Sequence, residues 1–181
     1  MAAIDATGNA LDNTLTGNFG NNTLEGKRGN DTLIGGAGSD TYRFSRGDGQ
    51  DVIVDSQHFS TNVDVLSFAA GIGHDQLWLR KVASTSTPNG WDLEVQLMGT
   101  GDKVTIAGWE RAPKPWWEID LNDPNANHIE QIQAGGKTLL DSQVAQLVNA
   151  MAAIAPPPSA TSWSQLTSSQ QAQLNAPGAW A

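Results

Sequence analysis

The chain contains no cysteine, so it can form no disulfide and offers no thiolate to a metal or substrate. Basic residues are few, 10 against 19 acidic ones, for a formal charge of −9 at pH 7. That balance argues against nucleic acid or an anionic membrane as partner and fits a cation or simple solubility. No apolar run reaches the roughly 18 residues of a membrane span. His58, His74 and His128 lack a ligand spacing such as HExxH, which argues against zinc catalysis, and no GxSxG elbow occurs. With no converging catalytic set, the chain by itself reads as a non-enzyme. The amino terminus, "MAAIDATGN", has neither the basic nor the apolar region of a secretory leader. Because that end already lies inside a repeat-like pattern, the sequence is expected to be a fragment of a longer one. Hydrophobic residues make up 39% of the 181, enough for a modest core in one domain or a small domain with an appendage.

Glycine and aspartate are abundant, and they cluster. The stretch "GGAGSDTYRFSRGDGQD", Gly35 to Asp51, combines the residue most costly to order with carboxylates that repel one another. Residues 8–43 fall into the nonapeptides "GNALDNTLT", "GNFGNNTLE", "GKRGNDTLI" and "GGAGSDTYR". Each opens on glycine, has threonine seventh and places Leu15, Leu24, Leu33 or Tyr42 eighth. The sixth position reads Asn13, Asn22, Asp31, Asp40. A flexible glycine/asparagine linker would not keep the eighth position apolar. The pattern is that of a calcium-binding β-helix repeat, G-G-x-G-x-D-x-U-x.

These blocks resemble the haemolysin-type calcium-binding repeats of the RTX (repeats-in-toxin) family. The resemblance implies a parallel β-roll in which six residues of each block form a turn and three a short strand, two blocks making one coil. It also implies several calcium ions between stacked turns. They would be held at the sixth positions Asn13, Asn22, Asp31 and Asp40, with carbonyls of the loop positions Asn18, Gly20, Lys27, Gly29, Gly35, Gly36 and Gly38 completing the sites. Calcium takes six to eight oxygen ligands in flexible geometry, and a metal that binds only the folded form supplies folding energy. The first two blocks depart from the family, with Asn13 and Asn22 in place of aspartate and Leu11 in place of the fourth glycine. Stacking alternate blocks pairs Asn13 with Asp31 and Asn22 with Asp40. The turn of Asp31 is then expected to face "GDGQD", with Asp48 and Asp51 available, so affinity should rise toward the carboxy end of the roll.

"FSRGDGQDVIVD" and "NVDVLSF" are similar to the segments that close RTX repeats, with Asp55 and Asp64 as candidates for a terminal calcium site or as ordinary turn residues. Beyond them "HDQLWLRKV" and "WDLEVQLM" alternate in the manner of half-buried strands. "MGTGDKVTIAGW" and "IEQIQAGGKTLL" read as hairpins. Leu140, Val144, Leu147, Val148, Met151 and Ile154 recur at helical spacing, with Asp141 as the expected N-cap and Pro156 as the stop. The expected fold is mainly β: a roll over 1–55, an antiparallel β cap over 56–138, an amphipathic helix over 139–155 packed on the cap, and a flexible tail over 156–181.

RTX resemblance further implies a secreted, extracellular module that engages a type I secretion machinery, with the tail placed to be the signal. Its parent is often a protease, lipase or toxin whose active site lies elsewhere. A second reading is a polysaccharide- or surface-binding module, with Trp116 and Trp117 of "APKPWWEID" as a stacking platform. The strongly acidic chain weighs against an acidic glycan, and a core role for these tryptophans is the plainer expectation. Asp123–Pro124 is a bond of the kind some RTX-associated modules cleave, and a loop role is expected for it here.

Overall fold

A computed structural model describes residues 2–55, 62–85, 90–110, 129–154, 159–175 and 180. The repeats form very short strands: β1 (Ala6–Thr7), β2 (Thr14–Thr16), β3 (Thr23–Glu25), β4 (Thr32–Ile34) and β5 (Thr41–Phe44). Threonine before a large apolar residue suits a pleated, half-buried ribbon. Three residues cannot hold a strand alone, so each depends on its neighbours in the stack. β6 (Gln50–Val54) and β7 (Val65–Phe68) continue the winding.

Alternate strands share a sheet. One runs β1-β3-β5-β7 and the other β2-β4-β6, all parallel, with Leu24 opposite Tyr42 and Tyr42 opposite Leu66, and Leu15 opposite Leu33 and Leu33 opposite Ile53. The eighth-position side chains therefore stack in ladders inside the roll. Leu24, Leu33 and Tyr42 are buried, whereas Leu15, on an edge strand, is half-buried against the core.

After the roll come a 3-10 turn at His74–Gln76, β8 (Leu77–Ala83), β9 (Trp91–Leu97), β10 (Lys103–Glu110), β11 (Gln131–Ala134) and β12 (Lys137–Leu140). Both expected hairpins form, β9–β10 and β11–β12. Gly135 and Gly136 have φ of 59° and 74°, the pair of positive values a tight two-residue hairpin turn needs. Within the cap the pairings are antiparallel, as expected, but its strands also join those of the roll. β10 lies parallel to β6 and β11 parallel to β7, so each roll sheet runs on into the cap to make six strands. Alternation reports which face of a strand is buried and says nothing about the direction of its neighbour. One hydrophobic cluster accordingly extends from Leu24 in the roll to Leu174.

Helix α1 spans Asp141–Ala152 and buries Val144, Leu147, Val148 and Met151, packing on β8 and β12. Its N-cap is Leu140 rather than Asp141, the Leu140 N–H being taken by the Gln143 side chain at 3.0 Å. The expected stop, Pro156, lies outside the described residues. Residues 159–175, expected from composition to be a flexible tail, instead dock. A 3-10 turn (Trp163–Gln165) and helix α2 (Ser168–Leu174), capped by Thr167, bring Trp163, Leu166 and Leu174 into the core. The Trp163 indole N–H donates to the Leu77 carbonyl at 2.9 Å. A few large apolar residues spaced through a polar segment are enough to anchor it when a groove receives them. Among the described residues no helix is long and apolar enough to cross a membrane.

Candidate metal centre

The turns between strands collect along the two edges of the roll. One edge carries Asn13, Asp31 and Asp51, the other Asn22, Asp40 and Asp64. Stacked parallel strands lie about 4.8 Å apart, a gap that an aspartate or asparagine side chain can bridge. On the first edge the Asn13 N–H donates to Asp31 Oδ1 (2.7 Å) and the Asp31 N–H to Asp51 Oδ1 (3.0 Å). On the second, Asn22 N–H donates to Asp40 Oδ1 (2.7 Å) and Asp40 N–H to Asp64 Oδ1 (2.6 Å). The stacking of alternate blocks is that expected from the repeat, and Asp51 and Asp64 extend it beyond the last nonapeptide.

Each of these aspartates uses one oxygen in the ladder. The other oxygen, Oδ2, of Asp31, Asp40, Asp51 and Asp64 is buried with no hydrogen-bond partner, as are both oxygens of Asp55. An unpaired buried carboxylate oxygen is costly, so several in a row mark missing positive charge. Burial raises the carboxyls of Asp40, Asp51, Asp55 and Asp64 from the ordinary aspartate value. Asp51 is pushed up to about 7, the Asp31 amide pulling it down while the Asp31, Asp48 and Asp102 carboxylates push it up.

The asparagines behave differently. Asn13 Oδ1 accepts from the Asn9 N–H (2.8 Å), and Asn22 Oδ1 accepts from the Asn18 N–H (2.7 Å) while its amide donates to Asn18 Oδ1 (3.0 Å). The two neutral turns satisfy themselves.

Glycine opens each block because nothing else fits. A Cβ on Gly26 would stand 2.3 Å from Asp31 Oδ2, and one on Gly35 would stand 2.4 Å from Asp40 Oδ2. Lys27 takes φ of 73° where the next block has Gly36 at 101°, and its ammonium pairs with Glu25 at 2.8 Å. Gly29 and Gly38 sit with positive φ over the carbonyls of Leu11 and Gly20, each 2.7 Å from where a Cβ would be. Leu11 thus lends its backbone to the stack and leaves its side chain in solvent, 70% exposed. Asp48 is buried and holds its own turn, accepting the Ser45 N–H at 2.6 Å.

Three features escaped the sequence reading. The fifth positions form a second ladder running the opposite way: Asn30 N–H to Asp12 Oδ1 (2.7 Å), Ser39 N–H to Asn21 Oδ1 (3.0 Å), Gln50 N–H to Asn30 Oδ1 (3.1 Å) and Val63 N–H to Ser39 Oγ (3.0 Å). The uniformly short, polar fifth column of the repeat was its signal. Asp102 accepts the Gly47 N–H at 2.8 Å from 55 residues away. Glu130 accepts the Asp64 N–H at 2.6 Å, and its "EQIQ" setting repeats the acid-x-apolar spacing of the blocks.

Chemically, the donors are all oxygen, carboxylate and carbonyl, which suits a hard cation. Among the described residues no three acidic or histidine side chains close on one point, so an ion here needs backbone carbonyls from the turns as well. Trp116, Trp117, His58, His128 and Asp123–Pro124 lie outside the described residues. His74 packs edge-on against Trp163 at 5.6 Å between ring centroids.

Two facing parallel sheets wound from nonapeptides, with aspartates stacked along both edges, define a parallel β-roll of the calcium-binding type. Residues 7–42 and 16–53 match the RTX calcium-binding nonapeptide repeat, in four copies. Residues 7–53 therefore carry RTX calcium-binding nonapeptide repeats. No curated protein matches the chain.

Proposed function

We propose that this chain is a calcium-triggered folding module of a secreted protein, with no catalytic activity of its own. The observation that carries the reading is the row of buried, unpartnered carboxylate oxygens on Asp31, Asp40, Asp51, Asp55 and Asp64. Without a cation these groups repel or must hold protons. With calcium they become ligands, joined by the carbonyls of Asn18, Gly20, Lys27, Gly29, Gly35, Gly36 and Gly38 and by Asp48. Metal binding and folding are then one event. The chain stays unfolded where free calcium is scarce and folds after export, where calcium is plentiful. Type I secretion fits this order of events, with the segment from residue 156 onward as the signal.

The test is a calcium titration of the metal-free protein, followed by far-UV circular dichroism and tryptophan fluorescence together. All seven tryptophans lie beyond the repeats, so the two signals report roll and cap separately. Coincident cooperative transitions, absent with magnesium, are expected; a protein indifferent to calcium would refute the reading. Calorimetry orders the sites. Asp51→Ala is expected to cost more calcium affinity than Asn22→Ala, since affinity follows ligand charge, and equal losses would sink that ordering.

A further inference from the structure

Along the sheet of β2, β4 and β6, the last turn differs from the earlier ones in what stands at its first position. Thr16, Ile34 and Val54 are stacked partners in one sheet, so the residue after each occupies the same place in its coil. Those residues are Gly17, Gly35 and Asp55. Where the earlier coils have a bare glycine, the last has a fully buried carboxylate with both oxygens unpartnered. It adjoins Asp64, with Asp40 and Glu130 in electrostatic reach.

Two further groups converge there. Tyr42 is the single tyrosine of the chain and takes an eighth position otherwise held by leucine. Its hydroxyl lies against the Gly35 backbone, 2.2 Å from where a Cβ would be and next to Asp40 Oδ2. That hydroxyl is buried without a well-formed hydrogen bond. A phenol placed at random in this core would leave a polar atom stranded; beside an oxygen-lined ion it becomes useful. From the cap side, Glu130 immediately precedes β11, which pairs with β7 as β7 pairs with β5. It is the next rung of the ladder, supplied from 66 residues away.

We infer that the last calcium site is shared between roll and cap. Asp55 and Asp64 are its charged ligands, the Tyr42 hydroxyl bounds it from the core, and Glu130 is the positioning residue, its carboxylate accepting the Asp64 N–H while its negative charge draws β11 toward the ion. This ion transmits calcium binding to the cap. The inference rests on the calcium reading above and assigns a specific job to one site within it.

The experiment uses the full chain, with calcium as the only probe and magnesium as control. Calorimetry reads the affinity of each ion, and tryptophan fluorescence reads the cap. Glu130→Gln keeps an acceptor for the Asp64 amide but removes the charge, and Tyr42→Phe keeps the core volume. Each is expected to weaken one ion by about 10-fold or more, the size of effect seen for groups that orient metal ligands, and to move the tryptophan midpoint by a similar factor. Asp31→Asn, on the other edge, also weakens binding but should leave the dichroism and tryptophan midpoints coincident, whereas Glu130→Gln and Tyr42→Phe should leave the tryptophan midpoint lagging behind. Both variants binding like the unaltered chain, or both keeping the two midpoints together, would overturn the inference. Should Glu130→Gln not fold, Tyr42→Phe alone decides. If the unaltered chain binds no calcium, the calcium reading itself has failed, which is a different result.

Discussion

At Gly35 one added carbon would meet the Tyr42 hydroxyl at 2.2 Å and Asp40 Oδ2 at 2.4 Å. Both neighbours are buried and held by the core, so neither can swing aside as an exposed lysine would. Gly35→Ala is expected to destabilise the calcium-bound protein by about 1–3 kcal/mol and to weaken calcium binding. Gly101, with open space around its Cβ position and no positive φ, should accept alanine within about 0.5 kcal/mol. Denaturant unfolding in excess calcium compares the two. Asn22 offers a change of the opposite sign. Asn22→Asp loses the donation to Asn18 Oδ1 and gains a charge beside Asp40. It should raise calcium affinity and leave the metal-free chain with less residual structure, and calorimetry with far-UV dichroism in chelator separates the two effects.

Among the elements, the strands of the roll owe their existence to stacking, since two or three residues bury too little to persist alone. Two opposed side-chain ladders fix their spacing, the sixth-position side chains reaching back to the preceding coil and the fifth-position ones reaching forward to the next. In the cap, β8, β9 and β10 meet at Glu94, which is 3% exposed and bound by Arg80 (2.6 Å) and Lys103 (2.8 Å). Burial alone would raise its carboxyl, but the two cations win and hold it below the usual glutamate range. At the carboxy end, Trp163 is the anchor, 3% exposed with its indole N–H satisfied. Trp163→Ala is expected to cost about 3–5 kcal/mol and to remove near-UV dichroism from the cap. A merely trailing segment would show neither change.

For the whole molecule, the buried aspartates stacked along the two edges of the roll make the fold sensitive to pH. Asp51 is pushed up to about 7 from 3.8 by burial and by the neighbouring carboxylates. A carboxyl raised on folding favours the folded state while protonated, so its contribution is full below 3.8 and is lost as pH rises through about 7. Asp40 and Asp64 shift in the same direction, also by burial. Glu94 acts in the opposite sense, its stabilisation being lost as pH falls below the ordinary glutamate range. The buried aspartates outnumber it. Metal-free protein should therefore hold more folded structure at mildly acidic than at neutral pH, with calcium erasing or reversing the trend. Far-UV dichroism in chelator and melts in calcium across that range check this, and a metal-free signal that does not change with pH would contradict it.

By itself the sequence determined the roll. A nine-residue period, an apolar eighth position and a short acid or amide at the sixth fix two-block coils, an inward ladder and an oxygen-lined edge, because each rule is local and repeats. Asp31, Asp40 and Asp51 were legible as stacked carboxylates along the roll's edges for that reason, and Asn13 and Asn22 as neutral positions in the same ladders. Only the tertiary structure decided what joins the roll from afar. Nothing local tells that β10 and β11 run parallel to β6 and β7, that the residues around Trp163 dock, or that Asp102 and Glu130 complete turns begun 55 and 66 residues earlier. Those contacts depend on which strand edges remain unpaired once the roll has formed, and that is a property of the assembled sheets rather than of any single segment.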